Sequence, residues 1–149
     1  MCSSDLEAVA CYTSGPVTSG SIIAQAATAR EAAQGLLQAA AQGFTGEDTP
    51  KGCLLATSAI SCSAAAHDVQ QELAAIRIGI EAQLQAKVMA DIEAGRLPVD
   101  SDAGALAAHI LAVIQGLSTL ARDGASREKL LRISEVAMCC WPQTNMALA

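Results

Sequence analysis

Apolar residues recur at helical spacing along most of the chain. Thr28 and Glu31 have the spacing of a capping box, in which two side chains bond free backbone N–H groups at a helix start. A helix is therefore predicted to start at Thr28 and to be closed by Gly43 and the loop from Gly46 to Pro50. Its apolar positions are Ala32, Ala33, Leu36, Leu37, Ala40, Ala41 and Phe44. A shorter, almost wholly apolar helix is expected over about residues 52–63.

Three longer helices are predicted in the second half of the chain. Asp68 begins the longest, and Gly95 with Pro98 ends it. Its apolar stripe is Val69, Leu73, Ile76, Ile80, Leu84, Val88 and Ile92. Asp102 caps a helix that runs to about Arg122, and Ser126 caps the last one. The apolar face of that last helix, before Pro142, is Leu130, Ile133, Val136, Ala137 and Cys140.

The beginning of the chain is less regular. Residues 5–12 resemble the last turns of a helix, and the Ser, Gly and Pro residues of 13–20 predict a loop. No segment alternates apolar and polar residues with a period of two between hairpin turns, so the predicted class is all-α.

Composition agrees with one helical domain. The chain has 149 residues, 52% of them hydrophobic but only 2% aromatic, so its core must be built from Ala, Leu, Ile and Val. The net charge of −6 repels phosphate backbones, so this chain alone is not expected to bind DNA. With no run of about 18 apolar residues and no signal peptide, it is expected to be cytoplasmic, without membrane contact.

The reactive side chains do not form a recognisable catalytic or metal site. The six cysteines include no C-x-x-C pair, and apolar neighbours predict buried, reduced thiols; a disulfide or redox sensor is the alternative. His109 lacks a Cys, Asp or Glu three or four residues further on, so it is expected in a core or an interface. No catalytic motif is found, and we predict no enzyme, cofactor or metal.

The helix predicted over residues 103–122 has no polar face that would be expected to contact solvent. Between Ala103 and Leu117 the polar side chains are His109 and Gln115, which do not share a face. One face steps 4-3-4-3 like a coiled-coil seam, which favours a homodimer built on this helix and the last. The predicted contact residues are Leu106, Ile110, Val113, Gly116, Leu117, Leu120, Leu130, Ile133 and Ala137. A buried central helix in a monomer is the alternative.

Several short motifs, in order across about residues 7–142, resemble one branch of the TetR/AcrR transcriptional regulators. They are Gly52-Cys53-Leu54-Leu55, Ile92-Glu93-Ala94-Gly95-Arg96-Leu97-Pro98, Gln115-Gly116-Leu117, Ala121-Arg122-Asp123-Gly124-Ala125-Ser126-Arg127 and Ala137-Met138-Cys139-Cys140-Trp141-Pro142. The resemblance implies a C-terminal bundle of about five to six helices, whose last two long helices pair with a second subunit in a four-helix bundle. It also implies a small, often apolar effector among the middle helices, and an upstream helix-turn-helix head.

The domain prediction follows from this resemblance. Residues 1–6 read as the translation of a sequencing adapter, hence as a non-native start; 7–142 are the effector-binding and dimerisation domain; and 143–149 are a loose tail. The function expected is the ligand-sensing, dimerising part of a repressor that contacts DNA only through a missing head. The alternative is a free-standing helical ligand-binding or interaction module.

An effector pocket needs apolar surface with a few polar groups. The residues predicted to line it are Tyr12, Leu37, Cys53, Thr57, Ile60, Ile80, Leu84 and His109. The alternative is that these residues simply fill the core.

Overall fold

The computed structural model describes residues 17–57 and 67–143. Within these ranges the chain forms six α-helices and no strand, which confirms the all-α prediction. The helices are α1 (Ser19–Gln25), α2 (Ala29–Gly43), α3 (Leu54–Thr57), α4 (His67–Glu93), α5 (Ala103–Arg122) and α6 (Arg127–Met138).

Three helices begin where their capping residues predict. Thr28 Oγ1 accepts from the Glu31 N–H at 3.1 Å, and Asp102 and Ser126 cap α5 and α6 in the same way. In the predicted capping box, the Glu31 carboxylate would accept from the N–H of the N-cap residue Thr28. It accepts instead from the N–H of Ala27, one residue earlier. Gly95 and Gly124, both with positive φ, follow α4 and α5 as expected.

Helix α1 was not predicted, and the loop expected over 13–20 is wrong at Ser19 and Gly20. Thr18 is its N-cap, and Ser21 supplies the reciprocal bond that a capping box usually takes from Glu or Gln. A short polar start followed by Ile22 and Ile23 thus forms a helix instead of a loop. The predicted helix over 52–63 contains α3, and its positions 58–63 lie outside the described residues.

Helix α2 is the centre of the bundle and packs against α1, α4, α5 and α6. All seven apolar positions predicted for its core face are buried. Alanine occupies four of them, Ala32, Ala33, Ala40 and Ala41, which leaves little side-chain bulk between α2 and its neighbours. On α4 the predicted stripe is buried at Leu73, Leu84 and Val88 and half-buried at its other positions.

Helix α5 is, among the described residues, the one helix long and apolar enough to cross a membrane by length and composition. It packs against α2, α3, α4 and α6. Its buried side chains include Ile110, Leu111 and Leu117, and the core helix of a bundle meets the same criteria of length and composition. The absence of membrane contact stays a prediction.

Candidate functional site

The structure brings part of the predicted effector pocket together. Leu37 of α2, Leu84 of α4 and Cys53, just before α3, belong to one buried cluster, and Ile80 is half-buried against it. Leu37 and Leu84 are 0% exposed, so they already fill core space in this conformation. Tyr12 and Ile60, and the side chain of Thr57, lie outside the described residues.

The backbone of Gly52 and Cys53 lies against side chains of α5. The Cys53 N–H donates to Ser118 Oγ at 2.7 Å, and Ser118 is 1% exposed. Gly52 has φ +90°, and a Cβ there would lie 2.7 Å from Arg122 Cγ. Arg77 of α4 donates to the carbonyl of Leu55, two residues after Cys53. Ser118 was not predicted from the sequence; its hydroxyl on an otherwise apolar helix was the signal that could have revealed it.

A second polar group, Asp91 near the end of α4, is 3% exposed. Its Oδ2 accepts from the Ala29 N–H at 2.7 Å, at the first turn of α2. Its Oδ1 accepts from Arg96, whose Nε and Nη2 are 2.9 Å and 2.8 Å away. The carboxylate therefore joins the end of α4 to the positive end of the α2 dipole. Both oxygens of the Asp91 carboxylate are thus engaged in contacts within the fold, and neither is open to a substrate.

His109 lies on the α6 side of α5, away from the buried cluster that holds Leu37, Cys53 and Leu84. Its Nε2 is 3.3 Å from the carbonyl oxygen of Ala137 and 3.4 Å from Cys140 Sγ. Cys139 and Cys140 are exposed and Cys53 is buried, so the prediction of buried thiols is wrong for the adjacent pair. The reason is position: both follow Met138, the last residue of α6, and so lie beyond the helix that packs on the core.

The predicted dimer residues divide into two groups. Ile110, Leu117, Leu130 and Ala137 are buried in the chain's own core, so in this conformation they have no surface for a partner. Leu106, Val113, Leu120 and Ile133 are half-buried, and Gly116 is exposed with no atom within 4 Å of where its Cβ would be. Besides Gly116, the exposed positions along α5 are Ala105, Ala108, Ala112, Gln115, Thr119 and Arg122.

The outward side of α6 carries an exposed apolar residue and a shallow hollow. Val136 is 71% exposed, one turn after the half-buried Ile133. A shallow hollow of about 420 Å³ lies there, lined by Ser126, Glu128, Lys129, Arg132, Ile133 and Val136. This hollow was not predicted from the sequence, and it shares Ile133 with the predicted dimer contact.

Comparison with known proteins gives one family. Residues 22–135 match the family described as the tetracyclin repressor-like, C-terminal domain. Among curated proteins, the HTH-type transcriptional repressor ComR of Escherichia coli K12 is 33% identical over 105 residues, covering 70% of this chain and 50% of ComR. The chain therefore spans about half the length of that relative.

Two solved structures have the same arrangement of helices. A cysteine mutant of the TetR family transcriptional regulator CifR, complexed with 26-bp double-strand operator DNA, superposes with a TM-score of 0.76 at 31% identity, covering 83% of this chain and 65% of CifR. A putative TetR transcriptional regulator from Rhodococcus sp. RHA1 superposes with a TM-score of 0.70 at 28% identity, covering 81% of this chain and 64% of the other.

Proposed function

Because the chain belongs to the TetR family of transcriptional regulators, we propose that its described helices form the effector-binding and dimerisation domain of a ligand-controlled repressor. The observation that carries this proposal is the family match over 22–135, which runs from α1 into α6 and concerns the C-terminal domain of such regulators. ComR is named as a repressor and CifR was solved on operator DNA, which supports the same role for this protein.

Operator binding is assigned, in this proposal, to a helix-turn-helix segment other than the described helices. The chain carries 15 acidic against 9 basic side chains, so its overall field opposes approach to phosphates. Residues 7–142 would then be the regulatory domain, apart from the six residues before them and the tail after them. A repressor acts where the DNA is, so we also propose a cytoplasmic location.

The dimer surface is proposed to combine the outward faces of α5 and α6. Along α5 this face carries Ala108, Ala112 and Gly116, whose small side chains allow close approach of a second helix. Half-buried Val113 and Ile133 flank it and supply apolar area. The buried Ile110, Leu117, Leu130 and Ala137 support the two helices from within.

The effector is proposed to be a small, apolar molecule that enters beside the cluster of Leu37, Cys53, Ile80 and Leu84. These residues come from α2, the segment just before α3, and α4, so a molecule bound among them would change the spacing of these three parts of the chain. Because Leu37 and Leu84 have no exposed surface, entry requires the packing between α2 and α4 to change.

The proposal is tested by binding of an apolar fluorescent probe, 8-anilinonaphthalene-1-sulfonate, to the 149-residue chain. Ile80→Ala should weaken binding about fivefold, since it removes about 1 kcal/mol of apolar contact. The matched control is Ile78→Ala, because Ile78 is on the same helix but 67% exposed. A chain that binds no probe, or equal losses in both variants, would contradict the proposed effector site.

The oligomeric state is the second arm of that test. Light scattering should give about twice the chain mass of 15.2 kDa at micromolar concentration. A chain that remains monomeric would contradict the dimerisation role and leave the probe result to be judged separately.

A further inference from the structure

We propose that Cys140 is a reactive thiol, activated by His109, that is modified by soft electrophiles such as α,β-unsaturated carbonyl compounds. The proposal does not depend on the effector site or on dimerisation, because both side chains belong to one chain. It rests on the 3.4 Å contact between Cys140 Sγ and His109 Nε2, which joins a nucleophile to a side chain that can accept a proton.

The surroundings of this pair fit both positions of the proton. The Cys140 thiol can donate to the Ala137 carbonyl at 3.1 Å or to His109 Nε2. Once the proton is on Nε2, that N–H can donate to the same carbonyl, 3.3 Å away, while the sulfur remains in contact with the cation. Ala137 lies in the last turn of α6, where a helix favours a positive charge. The imidazolium and thiolate forms are therefore both provided with partners.

Two other cysteines of the described residues provide contrasts. Cys139 is exposed like Cys140, but its Sγ donates to the Glu135 carbonyl at 3.5 Å, which cannot take the proton from it. Cys53 is buried within the core. Cys139 is thus exposed but does not share the His109 contact of Cys140, and Cys53 is not exposed. The effects of the imidazole and of exposure on thiol reactivity can therefore be compared within one chain.

The proposed reaction is an addition with no leaving group and no external oxidant. The thiol proton moves from Sγ to His109 Nε2, and the sulfur forms a bond to the β-carbon of the electrophile. The electrons of the carbon–carbon double bond move to the α-carbon, which then takes a proton from the imidazolium. All atoms of thiol and electrophile are retained in the adduct, and His109 returns to its neutral form.

The test uses N-ethylmaleimide on the 149-residue chain at pH 7, with the alkylated sulfur located by fragmentation of the C-terminal peptide. We expect Cys140 to react about tenfold faster than Cys139. His109→Gln, whose amide cannot take the proton, should bring Cys140 down to the rate of Cys139 and leave Cys139 unchanged. Equal rates in the unaltered chain, or slow reaction at both sulfurs, would overturn the proposal.

A second variant separates proton transfer from local packing. In His109→Ala, free imidazole added to the buffer should restore part of the Cys140 rate and have no effect on Cys139, provided the circular-dichroism melting curve matches that of the parent. If added imidazole accelerates neither sulfur, or both equally, His109 does not act as the base and the proposal fails.

Discussion

At the scale of single residues, Asp91 shows what a helical pattern cannot reveal. Nothing close to Asp91 in the sequence indicates that its carboxylate is buried. The reason lies 62 positions away, where the Ala29 N–H needs an acceptor at the start of α2. Arg96, by contrast, is a local partner whose bond to Asp91 spans five residues.

Asp91→Ala should lower the free energy of unfolding by about 3 kcal/mol, because it leaves the buried Ala29 N–H without its acceptor and Arg96 without its carboxylate. Urea unfolding followed by circular dichroism measures this loss. The control is Glu93→Ala, an exposed acid on the same helix, which should change stability by less than about 0.5 kcal/mol. Comparable losses in the two variants would mean that the buried contacts contribute little.

At the scale of helices and loops, local chemistry fixes the beginnings of α2, α5 and α6, and each cap was predictable because its bonds reach only three residues. Helix α1 was missed because Ser19 and Gly20 are also frequent in loops, and Ser21 is an unusual partner in a capping box. The docking of residues 52–53 on α5 was not predictable, since Ser118 and Arg122 are distant in sequence.

Gly52→Ala should destabilise the fold by about 1–2 kcal/mol, because an L residue is strained at φ +90° and its Cβ would meet Arg122 and the Ser118 carbonyl. Gly79→Ala is the matched control with the opposite sign. Gly79 lies within α4 with nothing within 4 Å of its Cβ position, so alanine should stabilise the helix by about 0.5–1 kcal/mol. Thermal unfolding of both variants tests the pair, and a stabilised Gly52→Ala would refute the docking argument.

At the scale of the whole molecule, the division between core and surface was the hardest feature to predict. Periodicity identified α5 as apolar on every side, but it could not say which face meets the chain's own bundle. The structure turns Ile110 and Leu117 inward and leaves Gly116 outside. For the same reason the predicted pocket mixes residues of one buried cluster with His109, which contacts α6 instead. Such assignments depend on contacts between helices, which a single sequence does not contain.

The outward position of Gly116 makes the dimer hypothesis testable without disturbing the fold of one chain. With nothing within 4 Å of its Cβ position, Gly116→Leu should leave the monomer folded, and the gain in helix propensity favours α5. A leucine would nevertheless hold a second helix away from this face, so we expect the dimer dissociation constant to rise at least about tenfold, or about 1.4 kcal/mol.

Sedimentation equilibrium over a range of concentrations measures that constant. Gly79→Leu is the control, since it places the same side chain at an open helical glycine on α4, which is not part of the proposed dimer surface. Weakening by Gly116→Leu alone would assign the interface to the α5 face. If both variants dissociate as the parent does, the two subunits meet through another surface, and the exposed small residues of α5 need a different explanation.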